Sequence, residues 1–100
     1  MATRTKTGQR THDSEVRRQA QALEEQGFTV SADLPGWTKP PIIDGHIPDV
    51  YAEKGKLKKI REVETPDSVR QDADQRKSFR NWANRSDNRT AQTVVTGKKK

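Results

Sequence analysis

Cysteine is missing from this chain. Its absence excludes a disulfide framework and any thiolate metal ligand. Aromatic residues make up only 5% of the sequence and hydrophobic residues 28%, against 34% charged. Such a composition lies close to that of chains that stay partly unfolded. In 100 residues it allows one domain with a thin core, for which dimerisation is a common remedy, so a homodimer is among the expected assemblies. No apolar run approaches the length of a membrane span or a signal-peptide core. The expectation is a cytoplasmic protein with no membrane partner. His46 has no second histidine at ligand spacing, which argues against a zinc site. No internal repeat is found.

Acidic residues are absent from residues 1–10, which carry Arg4, Lys6 and Arg10. From residue 65 onward, nine Lys and Arg face four Asp, while residues 28–64 are balanced at six and six. The net charge of +6 therefore sits at the two ends. A basic chain whose acids gather in its middle suits a polyanionic partner, and nucleic acid is the expected one. The Lys98-Lys99-Lys100 tail is equally explained as solubilising or as a non-specific contact.

The acids of interest lie in residues 47–65, IPDVYAEKGKLKKIREVET. The spacing predicts a strand, a tight turn at Lys54-Gly55-Lys56, and a second strand ending in Glu62-Val63-Glu64. Pro48 opens the first strand, where a missing N–H is tolerated. Strand side chains alternate, so Asp49, Tyr51 and Glu53 share a face opposite Val50 and Ala52, and Ile60, Glu62 and Glu64 share another. An antiparallel pairing brings Asp49 beside Glu62. Converging carboxylates are costly without a cation between them, and Mg²⁺ is the commonest hard cation with oxygen ligands. The plainer alternative is a hairpin whose charges face water.

Pro48-Asp49, twelve further residues, then Glu62-Val63-Glu64 resembles the signature of the PD-(D/E)XK nuclease superfamily, which includes many restriction endonucleases and the archaeal Holliday-junction resolvases. The order of elements read along the chain, helix, three strands, helix, strand, is similar to that family's core. The resemblance implies an α/β (α+β), restriction endonuclease-like fold in the order αβββαβ, with a four-stranded mixed sheet flanked by two helices. It implies a DNA endonuclease with Asp49, Glu62 and Glu64 as catalytic residues. Mg²⁺ or Mn²⁺ would be held by Asp49, Glu62 and the backbone carbonyl of Val63. One departure is plain: the family's Lys is Glu64 here, as it is Glu in some restriction enzymes of the superfamily. Lys58 shares the face of Glu62 but lies too far along the strand to stand in for it. Glu15, on the first helix, and Gln75, on the second, are accessory candidates on the same resemblance. An ordinary first-turn Glu favouring the helix dipole explains Glu15 equally well.

Around that centre the chain divides into a flexible basic arm (1–11), a single nuclease-like domain (12–96) and a basic tail (97–100). The first helix is expected to start at Asp13 or Ser14, with Val16, Ala20 and Leu23 as its apolar stripe and Gly27 as its stop. Residues 28–33 read as a strand, and 34–46 as a Pro- and Gly-rich loop. In that loop Trp37 is a packing anchor or a base-stacking platform. His46 is a general base, a phosphate contact or an incidental loop residue. The second helix is expected over 66–84, with Pro66 at its first position. Val69, Ala73, Phe79 and Ala83 form its stripe, and Asp72 and Arg76 are spaced to pair. Arg70, Arg76, Lys77 and Arg80 on this helix are the expected nucleic-acid contacts. Residues 85–91 read as a loop, and 93–96 as a last strand. Two other functions compete with a nuclease: a catalytically weak or inactive nucleic-acid-binding module of the same fold, and an assembly subunit whose carboxylates are merely surface.

Overall fold

The computed structural model describes residues 6–65, 68 and 72–96. Their elements run α1 (Lys6–Glu25), β1 (Thr29–Ala32), β2 (Val50–Lys54), β3 (Leu57–Glu64), α2 (Ala73–Asn84) and β4 (Arg89–Val95). The four strands form one sheet in the order β1-β2-β3-β4. β1 and β3 both run antiparallel to β2, and β4 runs parallel to β3. A parallel neighbour needs a crossover connection, and α2 lies within it. The expected αβββαβ order and mixed four-stranded sheet are both present.

Local chemistry explains each join. Gly27, at φ +94°, follows α1 and takes a conformation that side chains disfavour. Phe28 N–H donates back to Leu23 O (3.1 Å) and Gly27 N–H to Glu24 O (3.0 Å), which closes the helix end. Gly55, at φ +59°, turns the β2–β3 hairpin, and Lys54 pairs with Leu57 across it.

The sheet separates two apolar clusters, as strand alternation requires. Val16, Ala20 and Leu23 of α1 pack with Phe28, Ala32, Leu34, Val50, Ala52 and Val63 on one face, with Trp37 against the margin. Ile60 meets Phe79 and Trp82 of α2 and Ile43 of the loop on the other, with Tyr51 and Ala91 beside them. Trp37 and Trp82 are thus packing residues here. Glu62 and Glu64 follow Ile60 on the α2 face and are almost wholly buried, at 2% and 1% exposure.

Three boundaries differ from expectation. α1 begins at Lys6, not at Asp13 or Ser14, so Asp13 lies inside the helix and much of the expected arm is helical. His12 supplies the reason: it is 5% exposed and extends the Val16–Ala20 stripe back by one turn. Tertiary packing of such a stripe, more than propensity, sustains a helix. β4 begins at Arg89, so it takes in part of the expected 85–91 loop. Pairing along β3, begun by Lys58 N–H to Asn88 O at 2.9 Å, overrides the polar character of RTAQ. The described part of α2 begins at Ala73; Pro66, Val69 and Arg70, and the expected tail 97–100, lie outside the described residues.

Candidate functional site

β2 and β3 bring Asp49 and Glu62 together where β2 begins and β3 ends. Glu62 Oε2 accepts from the backbone N–H of Asp49 at 2.8 Å, and Asp49 Oδ2 accepts from the backbone N–H of Val63 at 2.8 Å. Each residue's carboxylate therefore caps the other strand's backbone. Gln75 on α2 donates Nε2–H to Glu62 Oε1. Gln75, an accessory candidate from the sequence, is thus placed against Glu62.

On the opposite side of the pair stands His12, a residue the sequence reading missed. Its Nε2 lies 3.3 Å from Asp49 Oδ2, and its Nδ1 lies 3.1 Å from Asp13 Oδ1. An imidazole between two carboxylates can offer an N–H to each when it carries both protons. The signal for it was present: His12 falls four residues before Val16 on the buried stripe, but an expected helix start at Asp13 or Ser14 left it outside the helix. Glu15, one turn further on, does not reach the carboxylates. It accepts from Arg18 Nη2 at 2.6 Å and from Gln19 Nε2 at 2.7 Å. His46 is also elsewhere, edge-on to the Phe79 ring with centroids 6.1 Å apart.

Glu64 stands beside the pair rather than within it. Ser68 Oγ–H donates to Glu64 Oε2 at 2.5 Å, and Asp72 also lies within reach of that carboxyl. The expected cluster of three carboxylates is therefore two carboxylates and a neighbour drawn toward the turn at Thr65–Ser68. Among the described residues, no three His, Asp or Glu side chains converge as a ready-made metal cage.

Electrostatics separate the three acids. Burial raises the Glu62 carboxyl first, and the charge of Asp49 and its hydrogen bond raise it further, to about 9. Burial would raise Asp49 as well, but the hydrogen bonds from His12 and Glu62, the charge of His12 and the Val63 N–H outweigh it and hold Asp49 low. Glu64 is raised to about 7, by burial and then by Asp72 and Asp49, against the opposing Ser68 hydrogen bond. At neutral pH these opposite shifts favour an ionised Asp49 beside a neutral Glu62.

Two neighbouring carboxyl groups are oxygen donors of the kind a hard cation takes. Mg²⁺ accepts such a sparse donor set because it keeps several waters. The backbone supplies a further donor on the same side. Lys58 N–H and Glu64 C=O bond toward β4, whereas Val63 N–H bonds toward Asp49. Hydrogen-bonding direction alternates along a strand, so the Val63 carbonyl faces the β2 side with its N–H. Two carboxylates and one carbonyl thus fit an oxygen-liganded divalent cation. Among the described residues, no helix is long and apolar enough to cross a membrane. No protein-family model, curated protein or solved structure matches the chain.

Proposed function

We propose that this protein is a divalent-metal-dependent nuclease that hydrolyses phosphodiester bonds in DNA, with Mg²⁺ or Mn²⁺ as cofactor. One observation carries the reading: the Asp49 and Glu62 carboxylates brace β2 and β3 at one end of the mixed sheet, with His12 and Gln75 holding them from the two helices. Asp49, Glu62 and the Val63 carbonyl would hold the cation, which would neutralise charge on the phosphate and polarise water. His12 keeps Asp49 ionised and aimed at the site, and Gln75 orients Glu62. As a ligand Glu62 would have to be ionised, its proton passing to solvent. Glu64, with a carboxyl near 7, accepts a proton from water in the place where the similar family has Lys. The basic residues at the two ends of the chain supply attraction for the polyanion.

The test is cleavage of linear, flapped and four-way DNA in Mg²⁺, in Mn²⁺ and in chelator. Metal-dependent cleavage that Asp49→Asn abolishes is the expected result. The displacement of Glu64 toward Ser68 favours a second reading, an inactive nucleic-acid-binding module of the same fold. Salt-dependent DNA binding with no cleavage in either metal would select that reading and sink the nuclease.

A further inference from the structure

Beside the carboxylate pair, α2 and β4 enclose a cleft of about 290 Å³ lined by Glu62, Arg76, Arg80, Thr93 and neighbouring residues. By volume it has room for roughly ten waters, or for one tetrahedral oxyanion with its hydration. Thr93 stands opposite Glu62 in the β3–β4 register, so both lie on the α2 face of the sheet. Arg76 and Arg80 are one helical turn apart and reach the cleft from α2.

Arg76 is the unusual member. Its Nη1 is buried and, among the described residues, has no hydrogen-bond partner. A buried guanidinium N–H without an acceptor is costly, and native structures rarely leave one so. The sequence offers a simple remedy in Asp72, four residues earlier at the N-cap of α2. Asp72 instead lies against Glu64, and Arg76 takes only a backbone bond to it, N–H to Asp72 O at 3.1 Å. The cleft is therefore lined by two arginines and a threonine beside Glu62, and Arg76 at its wall carries a buried N–H with no acceptor among the described residues. Guanidinium forks match the oxygens of phosphate.

We propose that this cleft is a phosphate-binding subsite in which Arg76 and Arg80 grip a backbone phosphate of the nucleic acid next to the Asp49–Glu62 pair. That the phosphate belongs to a nucleic acid rests on the nuclease reading; the cleft and its unpartnered donor do not. The subsite fixes where the chain lies: over the α2 face, between α2 and β4.

The test uses the whole protein without metal. Inorganic phosphate is titrated against chloride at matched ionic strength while arginine Nε and backbone amide NMR signals are followed. Saturable shifts are expected at Arg76, Arg80 and Thr93. Arg76→Met should abolish them while raising the melting temperature in phosphate-free buffer, because it removes the unpartnered buried donor. Phosphate should then raise the melting temperature of the wild type and not of the variant. Arg80→Gln, at an exposed position, should weaken phosphate affinity severalfold with the fold intact. Absence of saturable shifts, or shifts unchanged by both substitutions, would overturn the subsite. Phosphate binding without DNA cleavage would overturn only the nuclease reading. Cleavage with no shift on phosphate addition would overturn only the subsite.

Discussion

Glu62 carries the most chemistry for its size. In the unfolded chain its carboxyl ionises above about 4.3; in the folded protein it keeps its proton up to about 9. Between those values the folded state holds the extra proton, so stability falls as pH rises, by up to ~1.4 kcal/mol per pH unit. Glu64 adds a slope of the same sign up to about 7. Asp49, held low, has the opposite sign: its contribution is present above the unfolded value near 3.9 and is lost as pH falls through its folded value. Urea unfolding is therefore expected to give a stability maximum in mild acid. Glu62→Gln copies the neutral form, so it should flatten the decline from pH 5 to 8; an unaltered slope would place the titration elsewhere. Metal competes with the same proton, so affinity for Mg²⁺ or Mn²⁺ should strengthen as pH rises toward 9. Asp49→Asn should remove most of that binding. Amide shifts at residues 49 and 62–64 in millimolar metal are the readout, and their absence in the wild type would count against the cation site.

At the scale of elements, Gly27 gives a sharp expectation. Its φ of +94° disfavours any side chain, and an added Cβ would meet Lys54 Nζ at 3.3 Å. Gly27→Ala should cost on the order of 1–2 kcal/mol, read from the shift in denaturation midpoint. Gly27 and the hairpin were legible in the sequence because each has a strong local cause: glycine at a required positive φ, and two strand-length runs, VYAEK and LKKIREVE, on either side of the Gly55 turn. The start of α1 was not legible, because the residue that marks its extra turn is a histidine, which an apolar-stripe reading passes over. Half of β4 was hidden for a similar reason. Arg89–Gln92 has little apolar pattern of its own and becomes a strand only because β3 lies beside it. The same limit applied to the site. Asp49 and Glu62 could be paired from hairpin register, whereas His12, Ser68 and Asp72 meet the acids only through long-range packing. Glu15 was the better guess by helix position, yet Arg18 and Gln19 engage it instead.

For the whole molecule, the uneven charge has a measurable consequence. If the basic residues meet phosphates, DNA affinity should fall steeply with salt, as the log of the salt concentration, with a slope near the number of phosphates neutralised. Arg76→Met should lower that slope by about one. A slope near zero would leave the surplus of basic residues without a polyanion to bind.

The parallel pairing of β3 with β4 also gives an expected order of assembly. β1, β2 and β3 are neighbours in sequence as well as in space, whereas β4 reaches β3 only after a crossover that carries α2. Contacts closed over a short loop form early, and those across a long one must wait for the chain entropy of the crossover to be met. Asp49 and Glu62 thus come together on the early side of that divide, while Gln75 and the Arg76 cleft arrive with α2 and β4. A transient opening of the late half leaves the carboxylates paired but wet, with Glu62 no longer shielded and its proton released. Burial of the site, and the unusual acidity that follows from it, is in this sense a property of the last strand to dock.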